Sequence, residues 1–200
     1  MSAVQPTTEP DLSLLEAIKQ RRSVRSYLPA VLDEAGIQAL LQAAVRAPTA
    51  VHREPWAFAI LQDEAILRRV SDRAKAGLVA LAAHHTTDRG GHRPDAFLRP
   101  EFNIFYDAGT LIAICARPAS DFVVADCWLA AENLMLAACA LGLGTCVIGS
   151  AVAALNTPEG KEDLGVPADY TVIAPIVIGV PRDRGTPTAR KAPNILAWKR

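Results

Sequence analysis

Three arginines and one serine stand within a run of five residues near the start of the chain, at Arg21, Arg22, Ser23 and Arg25. Each guanidinium group offers forked N–H donors and the serine adds a hydroxyl, a set that suits the several oxygens of one phosphate better than a single carboxylate. The same residues could instead form a solvated helix end whose positive charges complement the helix dipole. The cluster by itself leaves phosphate binding and helix capping equally open.

The segment PTAVHREPW, from Pro48 to Trp56, is the second candidate for ligand binding. Two prolines stiffen it, and Thr49, His52 and Glu54 supply polar groups directly before a predicted strand. Loops that a rigid scaffold holds at strand ends often bind ligands. Under the alternative interpretation the segment is a connector whose tryptophan packs into the core.

The cysteines and histidines favour structural roles. We expect buried, reduced thiols, because no cysteine lies two residues from another and each stands in an apolar run; they are Cys115, Cys127, Cys139 and Cys146. The histidines at 84, 85 and 92 have no acidic or thiol partner at metal-ligand spacing, so we interpret them as loop residues rather than a zinc site. The sequence also lacks a catalytic triad, a P-loop and the strand, turn and helix context that LGLGTCVIG would need as a dinucleotide fingerprint.

Composition predicts a single globular domain. Half of the 200 residues are apolar and 21% are charged, a balance typical of a folded enzyme. The 21 acidic and 21 basic residues cancel, which argues against nucleic acid or an anionic membrane as a partner. The start has no secretory signal and no later run reads as a membrane span, so we expect a cytoplasmic protein. Residues 1–10 are predicted to be a flexible arm and residues 11–200 one domain.

Alternating helices and strands must position the candidate residues. A capping box of Ser13 and Glu16 predicts a helix that ends at the arginine cluster, and Asp33 is the predicted cap of a second helix that runs towards Pro48. Periodicity predicts further helices over 64–83 and 122–141, and strands over 57–61, 110–116, 145–148 and 172–180.

Three features of these elements carry expectations of their own. Pro175 removes a backbone donor from the last strand, which predicts an edge strand or a bulge. The Thr86–Pro100 stretch is rich in charge, glycine and proline, and its length predicts an active-site flap. The helix over 122–141 is apolar around most of its circumference, which predicts burial on nearly all sides through dimerisation.

Four segments in order resemble the nitroreductase family of FMN enzymes: RRSVRSY, APTAVHREPW, AAENLMLAACALGLGTCVIG and ARK. Each is weak alone, but their shared order and spacing extend the resemblance from about Leu14 to Ile195. The resemblance implies an α+β sandwich with a central, mainly antiparallel sheet flanked by helices. It also implies an intertwined homodimer with two FMN sites at the interface.

The resemblance assigns cofactor contacts residue by residue. Arg21, Ser23 and Arg25 match positions that contact the FMN phosphate and ribityl chain, Arg22 falls between contacting positions, and Arg190 or Lys191 matches a C-terminal basic contact. The loop that the partner chain lays on the flavin is matched by Pro48, Thr49, Ala50 and His52, and a helix position with a polar contact is matched by Asp126. The segment beside the isoalloxazine ring, whose backbone N–H can approach flavin N5, is matched by Val147, Ile148, Gly149 and Ser150.

Two residues depart from the family pattern. His52 stands where the family usually has Asn; neutral histidine both donates and accepts as an amide does, so we expect it to touch flavin with a charge that varies with pH. Glu54 stands in place of Gln, and we expect it to face away and pair with Arg53 or Arg46, because a reduced, anionic flavin would repel a carboxylate.

The function that the resemblance implies is hydride transfer from NADH or NADPH to FMN and on to a small electron-poor acceptor, such as a nitroaromatic or a quinone. This scheme needs no side-chain acid or base, so no catalytic residue is assigned, and specificity is expected from the Thr86–Phe105 stretch. Family variants that oxidise a substrate, dehalogenate or degrade flavin stay open. So do a flavin-binding redox sensor without turnover and an anion-binding domain that uses the arginines for another ligand.

Overall fold

Helices alternate with strands along the chain, as the sequence predicts. The computed structural model describes residues 2–4, 12–84, 99–117, 120–183 and 189–200. The helices are α1 (Leu14–Gln20), α2 (Glu34–Ala44), α3 (Glu64–His84), α4 (Asp121–Ala140), α5 (Val152–Leu155) and α6 (Pro158–Leu164). The strands are β1 (Ser2–Val4), β2 (Ala30–Leu32), β3 (Trp56–Leu61), β4 (Thr110–Ala116), β5 (Gly144–Val147) and β6 (Thr171–Gly179).

The main sheet is antiparallel, with the strand order β3-β4-β6-β5. This confirms the predicted α+β sandwich with a mainly antiparallel centre. A separate parallel pair joins β1 to β2, with Ser2 opposite Ala30 and Val4 opposite Leu32. The predicted arm over residues 1–10 therefore includes one short strand, and its other residues lie outside the described part of the chain.

Strand β4 shows how the sheet divides the core, because all seven of its residues are buried. Its odd-numbered members, Leu111 among them, face a cluster with α3, α5 and α6, whereas its even-numbered members, such as Ile112 and Ile114, face α2 and α4. Alternate strand residues point to opposite faces. A strand with helices on both sides therefore reads as a continuous apolar run.

Pro175 lies in an interior strand, since β6 pairs with β4 on one side and β5 on the other. The edge-strand expectation is wrong. A bulge does occur in β6, but at Ile173, two residues before Pro175: Ile114 pairs with Ala174, while Cys115 pairs with Val172. The β5 ladder ends at the pair of Val147 with Ile176, so the missing proline N–H interrupts no pair with β5.

The first two helices begin at their predicted caps. The Ser13 hydroxyl accepts the Glu16 N–H at 3.4 Å and the Glu16 carboxylate accepts the Ser13 N–H at 3.0 Å, which completes the capping box of α1. The Asp33 carboxylate accepts the Gly36 N–H at 2.8 Å and caps α2. Because α1 ends at Gln20, its last turn delivers the chain directly into the arginine cluster.

Helix α4 lies between the sheet and an exposed apolar face. Eight of its residues are buried, but Phe122 is 67% exposed and Val124, Trp128 and Leu129 are also exposed. Burial on nearly all sides is therefore not achieved within one chain. By length and composition α4 could cross a membrane, which makes the expectation that no run reads as a span wrong. Its packing on the sheet accounts for the apolar residues on the buried side of the helix only, and the cytoplasmic location stays a prediction.

The buried thiols are confirmed, with Cys115, Cys127 and Cys146 buried and Cys139 half-buried. Burial raises the pKa of Cys115 to about 11, and burial together with the Asp126 charge raises that of Cys127 to about 12. Within the described ranges, no group of three His, Cys, Asp or Glu side chains could hold a metal. The predicted flap and the histidines at 85 and 92 lie outside those ranges, apart from Arg99 and Pro100.

Candidate functional site

The arginine cluster runs as an extended segment beside the sheet. Ser23 forms a parallel bridge with Thr145 of β5, and the Val24 N–H donates to the Thr145 carbonyl at 2.9 Å. Further along, Tyr27 bridges to Pro181 and the Leu28 N–H donates to the Val180 carbonyl at 2.9 Å. These backbone bonds fix the segment across the ends of β5 and β6.

Two inward side chains anchor this segment. Val24 packs on Gly144, where an added Cβ would lie 2.8 Å from the valine, so the glycine permits the close approach. Tyr27 is 4% exposed, packs on Gly179 and donates its hydroxyl to the Val24 carbonyl at 2.8 Å. Burial raises the pKa of Tyr27, which keeps this donor protonated.

The side chains of Arg21, Ser23 and Arg25 all act on the thiol of Cys146. Burial raises the pKa of that thiol, while the charges of Arg25 and Arg21 and a hydrogen bond with Ser23 oppose the increase. Arg21 and Arg25 are therefore close enough to act on the same thiol, although they line different cavities. The raised pKa keeps that thiol neutral, so it adds no charge that would repel an anion.

Arg22 is placed differently from its neighbours. Its Nη1 donates to the carbonyl of Gln20 at 3.3 Å, and its charge, with that of Arg21, acts on Cys139. Burial is the main cause of the raised pKa of the Cys139 thiol, and the two arginines oppose it. The guanidinium group of Arg22 therefore folds back and binds the C-terminal end of α1.

Neighbouring side chains orient the two outer arginines. The Nε of Arg21 lies 3.5 Å from Oε1 of Glu132 on α4, and the arginine side chain is 20% exposed. The guanidinium carbon of Arg25 lies 6.0 Å from the centroid of the Tyr106 ring, at the outer limit of cation–π attraction. No pattern in the sequence marks Glu132 or Tyr106 as a neighbour of these arginines.

Cavities open on both sides of the extended segment. Arg21 and Arg22 line one of about 80 Å³ together with Gly144 and Thr145. Arg25 lines a wider cleft of about 540 Å³ together with Tyr106. The cluster therefore offers cationic groups to two separate spaces.

The loop after α2 contains three non-glycine residues in left-handed conformation. The φ angles are 48° at Val51, 55° at His52 and 44° at Glu54. All three side chains are exposed, and Glu54 forms an ion pair with neither Arg46 nor Arg53, although all three are described residues. The expected pairing of Glu54 is therefore wrong, because the left-handed turn leaves its carboxylate in solvent.

Asp126 supports this loop from within the same chain. Its side chain is buried, and its two carboxylate oxygens accept the Ala50 N–H at 3.1 and 3.2 Å. Pro48 is exposed and Thr49 is half-buried. Trp56 is half-buried against the cluster of α2 and α4, as the connector interpretation expects.

The segment Val147–Ser150 begins where the ladder of β5 ends. The Ile148 side chain is buried and its N–H donates to the Pro175 carbonyl at 2.9 Å. Gly149 is exposed, and a Cβ added there would meet no atom within 4 Å. A ligand could approach the backbone at this glycine.

The C-terminal segment contains the last of the predicted basic contacts. Arg190 and Lys191 are exposed there, in a stretch without helix or strand. The same segment exposes Ile195, Leu196 and Trp198.

Comparison with protein families and curated proteins gives consistent matches. A model described as the nitroreductase family matches residues 18–180. A protein of Archaeoglobus fulgidus named as an NADH dehydrogenase/NAD(P)H nitroreductase is 28% identical over 174 residues, covering 84% of this chain and 86% of that protein. An NADH dehydrogenase of Thermus thermophilus is 24% identical over 202 residues, covering 96% and 98% respectively.

Solved structures agree in fold. A nitroreductase with bound FMN from Bacteroides fragilis superposes with a TM-score of 0.74 at 26% identity, covering 94% of this chain and 98% of that one. A nitroreductase with bound FMN from Desulfitobacterium hafniense has a TM-score of 0.80 at 20% identity, covering 93% and 98%. Since the family model spans most of the chain and the sheet and helices match these structures, the chain belongs to the nitroreductase family.

Proposed function

We propose that this protein is an FMN-dependent oxidoreductase that transfers hydride from NADH or NADPH through FMN to a small electron-poor acceptor, such as a nitroaromatic or a quinone. The observation that carries the proposal is the extended segment from Ser23 to Leu28, which backbone bonds to Thr145 and Val180 fix beside the sheet with Ser23 and Arg25 exposed. The fold is that of solved nitroreductases from Bacteroides fragilis and Desulfitobacterium hafniense that contain FMN.

The donor set fits the phosphate and ribityl end of FMN. Two guanidinium groups and a hydroxyl provide more donors than a carboxylate could use, and charge-assisted hydrogen bonds from arginine suit phosphate oxygens. The backbone bonds between the segment and β5 hold these donors in place before the cofactor arrives. Arg22, whose guanidinium group bonds to Gln20, would contribute little to this grip.

The open backbone at Gly149 fits the ring end. No Cβ blocks approach at this position, and the flanking Val147, Ile148 and Ser150 lie at the end of β5. In the proposed complex this backbone lies beside the isoalloxazine ring and offers an N–H to N5. His52, exposed on its left-handed turn, would contact the flavin of the partner subunit together with Pro48, Thr49 and Ala50.

A homodimer is supported by apolar surface that one chain leaves uncovered. Most of the exposed large apolar residues in the described part of the chain lie on three segments: Leu14, Leu15 and Ile18 on α1, Phe122, Val124, Trp128 and Leu129 on α4, and Ile195, Leu196 and Trp198 in the C-terminal segment. Burial of apolar area is the main driving force of association. A second copy of the chain would cover these residues and let Arg190 or Lys191 reach a phosphate across the interface.

FMN, when bound, supplies the hydride chemistry, accepting a hydride from the nicotinamide and delivering it to the acceptor. The residues of this chain bind the cofactor and orient it. Arg21, Ser23 and Arg25 fix the phosphate end, and the backbone of Gly149 offers a hydrogen bond at the ring. No side-chain acid or base is assigned, since the acceptor can take its proton from solvent.

The first test is the visible spectrum of the purified protein, alone and after addition of FMN. We expect a yellow protein or stoichiometric uptake of FMN. A colourless protein that takes up no FMN would exclude both the oxidoreductase and a flavin-binding sensor. The arginine cluster would then be a binding site for an anion other than FMN.

The second test separates turnover from sensing. Anaerobic mixing of the FMN-loaded protein with NADH or NADPH should bleach the flavin rapidly, and a quinone or nitroaromatic should restore its colour. A flavin that binds but stays oxidised with both nicotinamides would contradict the reductase and favour a sensor. A panel of acceptors under each nicotinamide then defines specificity.

A further inference from the structure

The loop between Pro48 and Pro55 is held in a conformation that its own sequence disfavours. Val51 is β-branched and has φ 48° and ψ 33°, and His52 and Glu54 are also left-handed. For L residues this region brings Cβ close to the backbone, and a β-branched side chain rarely occupies it. Three such residues among four need support from elsewhere in the protein.

Their own side chains supply no such support. Val51 is 79% exposed, and His52 and Glu54 are exposed as well. Within the described residues, none of these three side chains forms a hydrogen bond or an ion pair. The restraint must therefore act on the backbone.

Asp126 provides a backbone restraint. It is 4% exposed, and its carboxylate accepts the Ala50 N–H at the start of the turn, 76 residues away in sequence. Within the described part of the chain, no cation forms an ion pair with this carboxylate. Both oxygens of this buried side chain therefore face the backbone at the start of the turn.

We propose that Asp126 is a positioning residue that holds the Pro48–Pro55 loop in its left-handed conformation for contact with flavin. The inference rests on the proposed function for the flavin contact, but not for the restraint on the loop. The chain enters the turn at Ala50, so loss of its acceptor frees the turn to relax into ordinary backbone conformations. Asp126 then acts through the loop and does not touch the cofactor.

Limited proteolysis tests the restraint without any cofactor, because trypsin can cleave after the exposed Arg53. Asp126→Ala should be cleaved there on the order of tenfold faster than the wild type, as expected for loss of a hydrogen bond to a charged group. Asp126→Asn keeps an oxygen acceptor and should stay within about threefold of the wild type. The matched control is Asn133→Ala, which removes another α4 hydrogen bond, from Asn133 to the Ala43 carbonyl at 3.2 Å.

Several results would overturn the restraint. Wild-type cleavage kinetics in Asp126→Ala, or equal acceleration in Asn133→Ala, would show that the carboxylate does not hold the loop specifically. Asp126→Asn behaving as Asp126→Ala would refute the hydrogen-bonded form of the restraint. Should Asp126→Ala not fold, amide exchange of the wild type decides: Ala50 must exchange more slowly than Val51 and His52.

The FMN-loaded enzyme tests the positioning role. Asp126→Ala should shift the flavin midpoint potential and raise KM for a quinone, and it should weaken FMN binding less than Arg21→Ala does, because the phosphate contacts belong to another segment. Asn133→Ala should change none of these quantities. An unshifted potential and KM in Asp126→Ala would overturn the positioning role. A wild-type protein that binds no FMN would refute the proposed function and leave the proteolysis result standing.

Discussion

Two segments are assigned to the flavin, and the protein holds them in different ways. The extended segment of residues 21–28 is fixed by backbone bonds to Thr145 and Val180 and by the buried ring of Tyr27. The loop of residues 48–55 is strained at three positions and is tied to the core by the carboxylate of Asp126. The first segment is an extension of the sheet, whereas the second depends on one side chain.

This contrast predicts where each segment tolerates substitution. Ladder hydrogen bonds use backbone atoms that every residue except proline possesses, so the outward side chains of the first segment are free to serve a ligand. The loop has no ladder, and its shape depends on a side chain far away in sequence. We expect the first segment to lose its structure when Val24 or Tyr27 is replaced and its ligand when its arginines are replaced. The loop should lose its conformation when Asp126 is replaced.

Tyr27→Ala should have the largest effect on the first segment. Truncation of a buried aromatic side chain lowers the free energy of unfolding by about 3 to 5 kcal/mol. Urea denaturation measures the change. Tyr27→Phe loses only the hydroxyl bond to the Val24 carbonyl and should cost about 1 kcal/mol. A loss below about 1.5 kcal/mol in Tyr27→Ala would mean that the ladder alone holds the segment.

Arg21→Ala and Arg25→Ala should each weaken FMN binding while leaving the fold intact. A charge-assisted hydrogen bond contributes about 1.5 to 3 kcal/mol, so the dissociation constant should rise about ten- to a hundredfold in each variant. Fluorescence titration with FMN measures it. Arg117→Ala is the control, since its ion pair with Asp169 lies beside the end of β4. Unchanged affinity in both variants would refute the phosphate grip.

One substitution made in both segments compares them directly. Val24→Gly removes packing on Gly144 and adds backbone freedom, so the free energy of unfolding should fall by about 2 kcal/mol. Val51→Gly also adds freedom but relieves left-handed strain, so the same quantity should stay level or rise by up to about 1 kcal/mol. Chemical denaturation of both variants gives the pair of values. Equal losses would show that the loop is not strained.

Arg22→Ala should have the smallest effect. Its guanidinium group bonds to the Gln20 carbonyl at the end of α1, so FMN affinity should change by less than about threefold and stability by about 0.5 kcal/mol or less. The same titration and denaturation experiments apply. A loss of FMN affinity as large as that of Arg21→Ala would show that Arg22 also contacts the phosphate.

The local elements of this fold could be predicted because their signals are local. The capping box at Ser13, the cap at Asp33 and the apolar runs of β3 and β4 were all identified from residues within a few positions of each other. The arginine cluster was also visible, and the resemblance separated Arg22 from its neighbours. Burial on one side of a helix or strand repeats at a fixed period, and the chain displays that period directly.

Long-range pairing was not predictable in the same way. Pro175 indicated an edge or a bulge, but its interior place followed from β6 lying between β4 and β5. The left-handed angle at Val51 had no signal, since a β-branched residue rarely adopts it. Asp126 was assigned to the cofactor, and its bond to Ala50 became visible only in three dimensions.

Sequence patterns identify α1–α4, β3–β6, the buried thiols and the basic cluster after α1, but not β1, β2, α5 or α6. The packing of the whole chain is needed to see that Val24 and Tyr27 hold the cluster beside the sheet, that Arg22 bonds to Gln20, and that a buried carboxylate contacts the loop. The difference is one of range. Hydrophobic periodicity and capping act within a few residues, whereas hydrogen bonds across 76 positions depend on how the whole chain packs.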